Sequence, residues 1–311
     1  MRCHRSSTVW VSVIFALLLL FAPPRLFACS ICRCGDPTFN ALGTSVYSAG
    51  QFHLALDWDR FSKSQALDDG GTDSETENRY TATLSYSFGE RFLHVARVPF
   101  SHRDVTETFE DHKEETRTDG LSDPEFYGLV RLWSSSFGPG LGRRTWISAV
   151  FGVKTPWGRN DIRQDGVRVD EHAQSGTGST DLFGGLSGFY LFDADSALFA
   201  SGQYRGTGRN DFGYKYGDIT MVNVAYERKL SEVFDGVLEV NFRHAKRDQV
   251  DFSGQVDPNT GGSVLYVTPR ILVNLGKGIV LRLGVQIPAG QWLYGVQNER
   301  VNANAGLTFL F

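Results

Sequence analysis

Gly278-Ile279-Val280-Leu281-Arg282-Leu283-Gly284-Val285-Gln286-Ile287-Pro288 decides the fold, because it reads as a strand with two unlike faces. Successive side chains of an extended chain point to opposite sides. Ile279, Leu281, Leu283, Val285 and Ile287 therefore share one face, and Arg282, Gly284 and Gln286 share the other. One face suits lipid and the other water. The last segment repeats the pattern, with Val301, Ala303, Ala305, Leu307, Phe309 and Phe311 set against Asn302, Asn304, Gly306 and Thr308. Alternating segments of about ten residues, separated by turns, are the signature of a transmembrane β-barrel.

Working outward from these two segments, the alternation predicts strands near 51–61, 78–88, 91–100, 123–134, 144–156, 180–192, 196–206, 217–229, 236–247, 263–275, 278–288 and 300–311. That is about twelve, an even number, as single-chain bacterial barrels require. Gly89-Glu90-Arg91, Asp193-Ala194-Asp195 and Gly276-Lys277-Gly278 are short and built of turn residues, which fits the periplasmic side. Longer connections near 62–77, 101–122, 157–179, 207–216, 248–262 and 289–299 would face outward from the cell. The first two carry Asp68, Asp69, Asp73, Glu75 and Glu77, and Glu107, Glu110, Asp111, Glu114 and Glu115. They read either as plain solvated loops or as a negative mouth that gathers cations.

Composition agrees with a barrel and excludes other classes. The 23 Phe and 11 Tyr supply interfacial girdles, and 34 Gly stand against 4 Cys and 2 Met. No stretch outside the N-terminus holds 18 apolar residues in a row, which excludes a helical membrane protein. The formal charge of -4 gives no reason to expect nucleic acid. At the N-terminus, Arg2 and Arg5 precede an apolar run from Val9 to Ala22 that stops at Pro23 and Pro24, and Ala28 precedes Cys29. This is the layout of a cleaved signal peptide over 1–28. Its loss removes Arg2, Arg5 and Arg25 and takes the charge from -4 to about -7.

Cys29, Cys32 and Cys34 form C-x-x-C-x-C in the segment 29–50, which is expected to be periplasmic or to plug the barrel. Three thiols in an oxidising compartment leave one unmatched. Three resolutions stand open: a lipid on Cys29, a disulfide plus one thiol, or a soft metal such as copper(I) or zinc. No histidine completes a zinc set, and Arg33 stands where a c-type haem motif needs histidine. Apart from that metal, no cofactor is expected.

Polar alternation assigns the inner wall. His53, Asp57 and Asp59 come from the first strand, Asn223 and Glu227 from the eighth, and Glu239, Asn241 and Arg243 from the ninth. Arg270, Asn274, Arg282 and Gln286 follow from the next two. A charge facing lipid at mid-depth costs about 2–4 kcal/mol, so these residues are expected to point inward. Selectivity is assigned to His53, Asp57, Asp59, Glu227, Glu239, Arg243, Arg270 and Arg282. Phe309 and Phe311, which end the chain on aromatics, resemble the signal by which barrels are recognised for insertion.

Enzyme chemistry finds little support. Gly184-Gly185-Leu186-Ser187-Gly188 is not the G-x-S-x-G elbow, and Gly176-Thr177-Gly178-Ser179-Thr180-Asp181 lacks the third glycine of a dinucleotide loop. His94, His102, His112, His172 and His244 show no spacing that converges on one metal.

Three phrases occur in order: Gly120-Leu121-Ser122-Asp123-Pro124 entering a strand, Val153-Lys154-Thr155-Pro156-Trp157-Gly158 ending one, and Gly176 to Asp181 opening the next. As a set over roughly 50–311, they resemble the MetA-pathway-of-phenol-degradation family of outer-membrane transporter-like barrels. The resemblance implies an outer-membrane barrel associated with uptake of small, often aromatic or hydrophobic, compounds. The expectation is an all-β, antiparallel transmembrane barrel over 51–311 in the outer membrane, with lipid, the barrel-assembly machinery and a small solute as partners. It would act as a channel or transporter and not as an enzyme. The alternatives are a barrel scaffold or a redox or metal accessory built on the cysteine cluster, and, less favoured, a barrel-embedded hydrolase.

Overall fold

The computed structural model describes residues 50–66, 72–108, 113–136, 143–295 and 297–311. The expected leader and the cysteine-bearing segment through residue 49, with Cys29, Cys32 and Cys34, lie outside them. The described chain is a closed antiparallel barrel. Its strands are β1 (Phe52–Ala66), β2 (Thr72–Phe88), β3 (Phe92–Thr108), β4 (Lys113–Leu121), β5 (Glu125–Ser136) and β6 (Arg143–Lys154). After a small hairpin, β7 (Arg163–Gln164) and β8 (Val167–Arg168), come β9 (Asp181–Asp193), β10 (Ser196–Gly206), β11 (Ile219–Lys229), β12 (Phe234–Ala245), β13 (Gly262–Gly276), β14 (Ile279–Leu293), β15 (Gln297–Glu299) and β16 (Asn302–Leu310).

These make twelve staves. β4 and β5 both pair with β3 and form one stave broken at Ser122-Asp123-Pro124. β15 and β16 both pair with β1 and form another. β1 lies between β2 and β16, and that pairing closes the barrel and leaves no free edge. Pro124 cannot donate a ladder hydrogen bond, which accounts for the break before β5.

The outer surface confirms the lipid face. Tyr80, Leu84, Phe88, Phe151, Leu182, Leu186, Leu238 and Leu283 all point outward and are exposed. Aromatics gather at the short-turn end, where Phe52, Tyr86 and Phe88 follow one another with ring centroids 4.3 and 4.5 Å apart. Tyr190, Phe192 and Tyr226 do the same at 4.9 and 6.3 Å. Phe311 is exposed at this end, and its amide donates to Phe52 O at 3.0 Å. Phe309 lies between Leu54 and Ile279 in the ladder.

Two expected loops are mostly strand. β1 and β2 pair without interruption from Phe52–Tyr86 to Ala66–Thr72, and β2, β3 and β4 continue as far as Thr108 and Lys113. The strands β1, β2 and β3 of these hairpins are 15–17 residues long. A tilted membrane strand needs about 9–11, so their ends stand beyond the bilayer. Charged sequence hid them, because strand above the membrane has no apolar face to alternate. Of the acids in these segments, Glu75 and Glu77 point inward and pair with Lys63, Arg79 and Arg103. Glu115 pairs with Lys113 and Arg117. Asp68, Asp69, Glu110 and Asp111 lie outside the described residues.

Candidate functional site in the barrel lumen

The alternation places the predicted lumen residues as expected. His53, Asp59, Glu239, Arg243 and Arg282 are buried on the inner face, and Asp57, Glu227 and Arg270 are partly buried there. The wall from β12 round to β1 is a ladder of polar contacts. Arg282 Nη2 donates to Asp57 Oδ1 at 2.6 Å, and Arg270 Nε donates to Glu239 Oε2 at 3.0 Å. Asn241 links Glu239 at 2.7 Å to Asn223 at 2.8 Å.

Glycine makes the first of these contacts possible. Gly306 stands between Asp57 and Arg282 in the ladder, so the ion pair reaches across an intervening strand. A Cβ on Gly306 would collide with Asp57 Oδ1 and lie 2.8 Å from Arg282 Nη2. Arg270 reaches Asn304 at 3.2 Å over Gly284 in the same way.

The other wall departs from the expectation of a polar lumen. Toward the short-turn end, Leu93, Val95, Leu129 and Val150 point inward and pack together with Tyr127. Phe199, Ala225, Val237 and Leu272 form a second inward apolar cluster at the same end, running from β10 to β13 and so into the foot of the first wall. A period-2 pattern identifies the two faces of a strand but not which is wetter. β3 carries apolar residues on both faces here, with Phe92 and His94 outward.

Toward the long-loop end, charge returns and becomes dense. Arg97 donates to Glu125 Oε2 at 3.2 Å, and Arg205 donates to Glu125 Oε1 at 2.7 Å. Above them sits a buried knot built from the three phrases singled out in the sequence. Lys154 Nζ, ending β6, lies 3.1 Å from both Asp123 Oδ2 and Asp181 Oδ2. Thr177 donates to Asp123 Oδ2 through its amide at 2.7 Å and its hydroxyl at 2.6 Å, and Gly158 N donates to Oδ1 at 2.9 Å. Asp181 Oδ1 accepts from Ser179 at 2.9 Å and Gly208 N at 3.1 Å. The ionic side chains of the knot are at most 3% exposed. Gly158 and Gly176 allow the two ends of the loop to touch, since a Cβ on Gly176 would lie 2.7 Å from Gly158 Cα.

The loop 155–180 lies over the barrel mouth and is tied there. Arg103, an inward residue, donates to His172 O, and Thr118 Oγ1 donates to Ala173 O at 2.5 Å. Two further connections, 207–218 and 246–261, join it in a cap. Tyr214 OH donates to Asp248 Oδ2 at 2.7 Å and lies 3.0 Å from His172 Nε2. Tyr216 OH donates to Glu171 O at 2.9 Å, and Asn210 Nδ2 donates to Thr177 O at 3.0 Å. Burial pushes the Asp248 carboxyl above its ordinary range despite donors from Tyr214 and Gly217. Asp218, buried in part, is nevertheless held well below its usual range by Lys246 and Lys215.

Between the knot and the β2–β3 wall lies a small cavity of about 40 Å³, lined by Arg79, Thr81, Arg97, Arg103, Asp123, Glu125, Lys154 and Ser175 among others. A larger recess of about 740 Å³ lies against Leu84, Phe126, Gly128, Phe151 and Leu182. The ladders run unbroken through it from β2 to β9, so it is a hollow facing lipid and not an opening in the wall.

With this geometry in view, comparison with solved structures places the fold. The chain is similar to the COG4313 outer membrane channel from Pseudomonas putida F1, with a TM-score of 0.64, 10% identity, and 86% of this chain and 97% of that chain covered. It also matches the beta domain of the Bordetella autotransporter BrkA at a TM-score of 0.48 and 12% identity, covering 85% of this chain and 100% of that one. The KdgM porin matches at 0.44 and 8% identity over 82% and 98%. The architecture is that of outer-membrane β-barrels. No family model and no curated protein matches the sequence. The resemblance to the phenol-degradation family therefore rests on its three phrases.

Sequence reasoning set Asp57, Arg282, Glu239 and Arg270 on the inner wall without pairing them, and it missed the knot and Arg97, Glu125, Arg103 and Arg205. The signal was present: Lys154 falls on the inward parity of an otherwise apolar strand, and Asp123 and Asp181 stand in the quoted phrases. No group of three or more His, Cys, Asp or Glu suited to a metal occurs among the described residues.

Proposed function

We propose that this protein is an outer-membrane channel that passes small solutes through a narrow lumen, with passage controlled at the knot and the cap above it. The observation that carries this reading is the inner wall. Paired charges run from Asp57–Arg282 on one side to Arg97–Glu125–Arg205 on the other, and such a wall gives a polar solute hydrogen-bonding partners in place of water. The inward apolar clusters at the short-turn end favour solutes with an apolar or aromatic body, which agrees with what the family resemblance implies. Lipid covers the outer band, and Phe309 and Phe311 serve assembly. In this reading the charged lumen is a conducting wall and not a catalytic one.

The test is single-channel conductance of the refolded protein in a planar bilayer, with selectivity taken from the reversal potential in a salt gradient. Stable ohmic steps are expected, and their selectivity should shift when Arg282→Gln removes one of the wall cations. Silence in a protein that still migrates as a heat-modifiable barrel would overturn the reading.

A further inference from the structure

We propose that the cavity beneath the knot is a binding site for the carboxylate of a small apolar acid, which deepens the channel reading and rests on it. The lining acceptors are already engaged. Asp123 receives Gly158 N at one oxygen and Thr177 N, Thr177 Oγ1 and Lys154 at the other. Glu125 receives Arg205 at one oxygen and Arg97 at the other.

The lining donors are in surplus. Thr81 Oγ1 and Ser175 Oγ are buried without a protein partner, and their residues are 4% and 5% exposed. Arg97 holds Glu125 through Nη1, one nitrogen of a guanidinium that carries five N–H groups. Two hydroxyls, which can turn to donate, and a guanidinium, which can only donate, around one cavity suit a ligand that accepts. A buried polar group without a partner is costly, so an occupant that satisfies several at once is favoured. A neutral donor such as an amide nitrogen would leave the guanidinium without an acceptor.

Size and surroundings narrow the class. About 40 Å³ is room for roughly three water-sized groups, the bulk of a carboxylate with its first carbon. Just below, on the same strands, the wall turns apolar. Val95 lies two residues beyond Arg97 on β3, and Tyr127 two beyond Glu125 on β5. Tyr127 and Phe183 meet edge to face, with centroids 5.8 Å apart, over Gly152, where a side chain would collide with both. Arg205, which holds Glu125, lies over the Phe183 ring at 4.8 Å. A charged head at the cavity and an apolar body against Tyr127 and Phe183 describe an aromatic or short aliphatic monocarboxylate.

The experiment is titration of the detergent-purified full chain with sodium benzoate, read by calorimetry, beside benzamide, which has nearly the same shape and lacks the charge. Benzoate is expected to bind at least tenfold more tightly than benzamide. The double variant Thr81→Val, Ser175→Ala breaks no ion pair and should weaken benzoate about threefold to tenfold, while Arg97→Gln should abolish saturable binding. Equal affinity for benzoate and benzamide overturns the proposal. So does benzoate binding unchanged in the hydroxyl double variant, which decides the matter if Arg97→Gln does not fold. Binding without conductance in the planar bilayer would sink the channel reading and leave the site standing; conductance without saturable benzoate binding would do the reverse.

Discussion

The two walls of this barrel hold their charges by different means. On the β12-to-β1 wall, Asp57 and Arg282 are level in the ladder on either side of Gly306, Arg270 stands two residues from Thr268, the rung partner of Glu239, and backbone register alone brings each pair together. On the opposite wall, register sets Lys154 beside Asp181, but Asp123 comes from the break before β5 and Thr177 from the loop that leaves β6, crosses the mouth and returns as β9. Register sets positions two residues at a time, so the first arrangement tolerates local change. A knot completed by a loop concentrates three staves and the cap on one ammonium. The difference teaches that the knot should respond far more sharply to substitution than the ladder.

Lys154→Met tests this with the largest expected effect. Removing the ammonium leaves Asp123 and Asp181 buried within reach of each other without their shared cation, and breaking a buried pair in this way costs about 3–5 kcal/mol. Chemical unfolding in micelles should show a loss of this size, and the loop 155–180 should become open to protease. A loss below about 1 kcal/mol would place the knot on a par with exposed ion pairs and erase the contrast between the walls.

On the ladder wall the matching change is Gly306→Ala. The new methyl would collide with Asp57 Oδ1 and crowd Arg282 Nη2, so the ion pair must move inward or part. Overpacking of this kind costs about 1–3 kcal/mol, less than the loss at Lys154 because one contact is disturbed and the ladder persists. Gly202→Ala is the control, since a Cβ there meets nothing within 4 Å. If the two alanine variants unfold alike, the idea that glycine makes room for the arginine is wrong.

How much of this was legible in the sequence follows the same division. The ladder wall was readable because an inward charge two residues from the next, as in Asp57 and Asp59, is a statement about period alone. The strand over 278–288 named Arg282 and Gln286 for the same reason. The knot was not readable as a site, because Asp123 and Lys154 lie 31 residues apart and Lys154 and Thr177 lie 23 apart. No periodicity links them; what linked them was their recurrence as phrases. The inward Leu93, Val95 and Leu129 were missed because both faces of those strands are apolar, and alternation vanishes where both sides want the same chemistry. The extended hairpins at 62–77 and 101–122 were hidden by the opposite case, where both sides are polar.

The smallest expected effect concerns the cap, and it is a matter of pH. Asp248 has no exposed surface and faces Tyr214 OH, the Gly217 amide and His172 from the neighbouring loops, with Asp257 from its own. Burial raises its carboxyl in the folded protein above the value it has in the unfolded chain. The folded form therefore favours the protonated acid. Its contribution to stability is fully present below the ordinary carboxylate range and is lost as pH rises through the raised value. The cap should be held more firmly in acid than at neutral pH. Hydrogen exchange in 207–218 and 246–261, corrected for the intrinsic rate at each pH, should show protection falling between mildly acidic and neutral conditions. Asp248→Asn mimics the neutral acid, keeps an acceptor for Gly217 N, and should flatten that dependence with little change on the ladder wall. Protection that rises with pH in the unaltered protein would mean that Asp248 does not govern how tightly the cap is held.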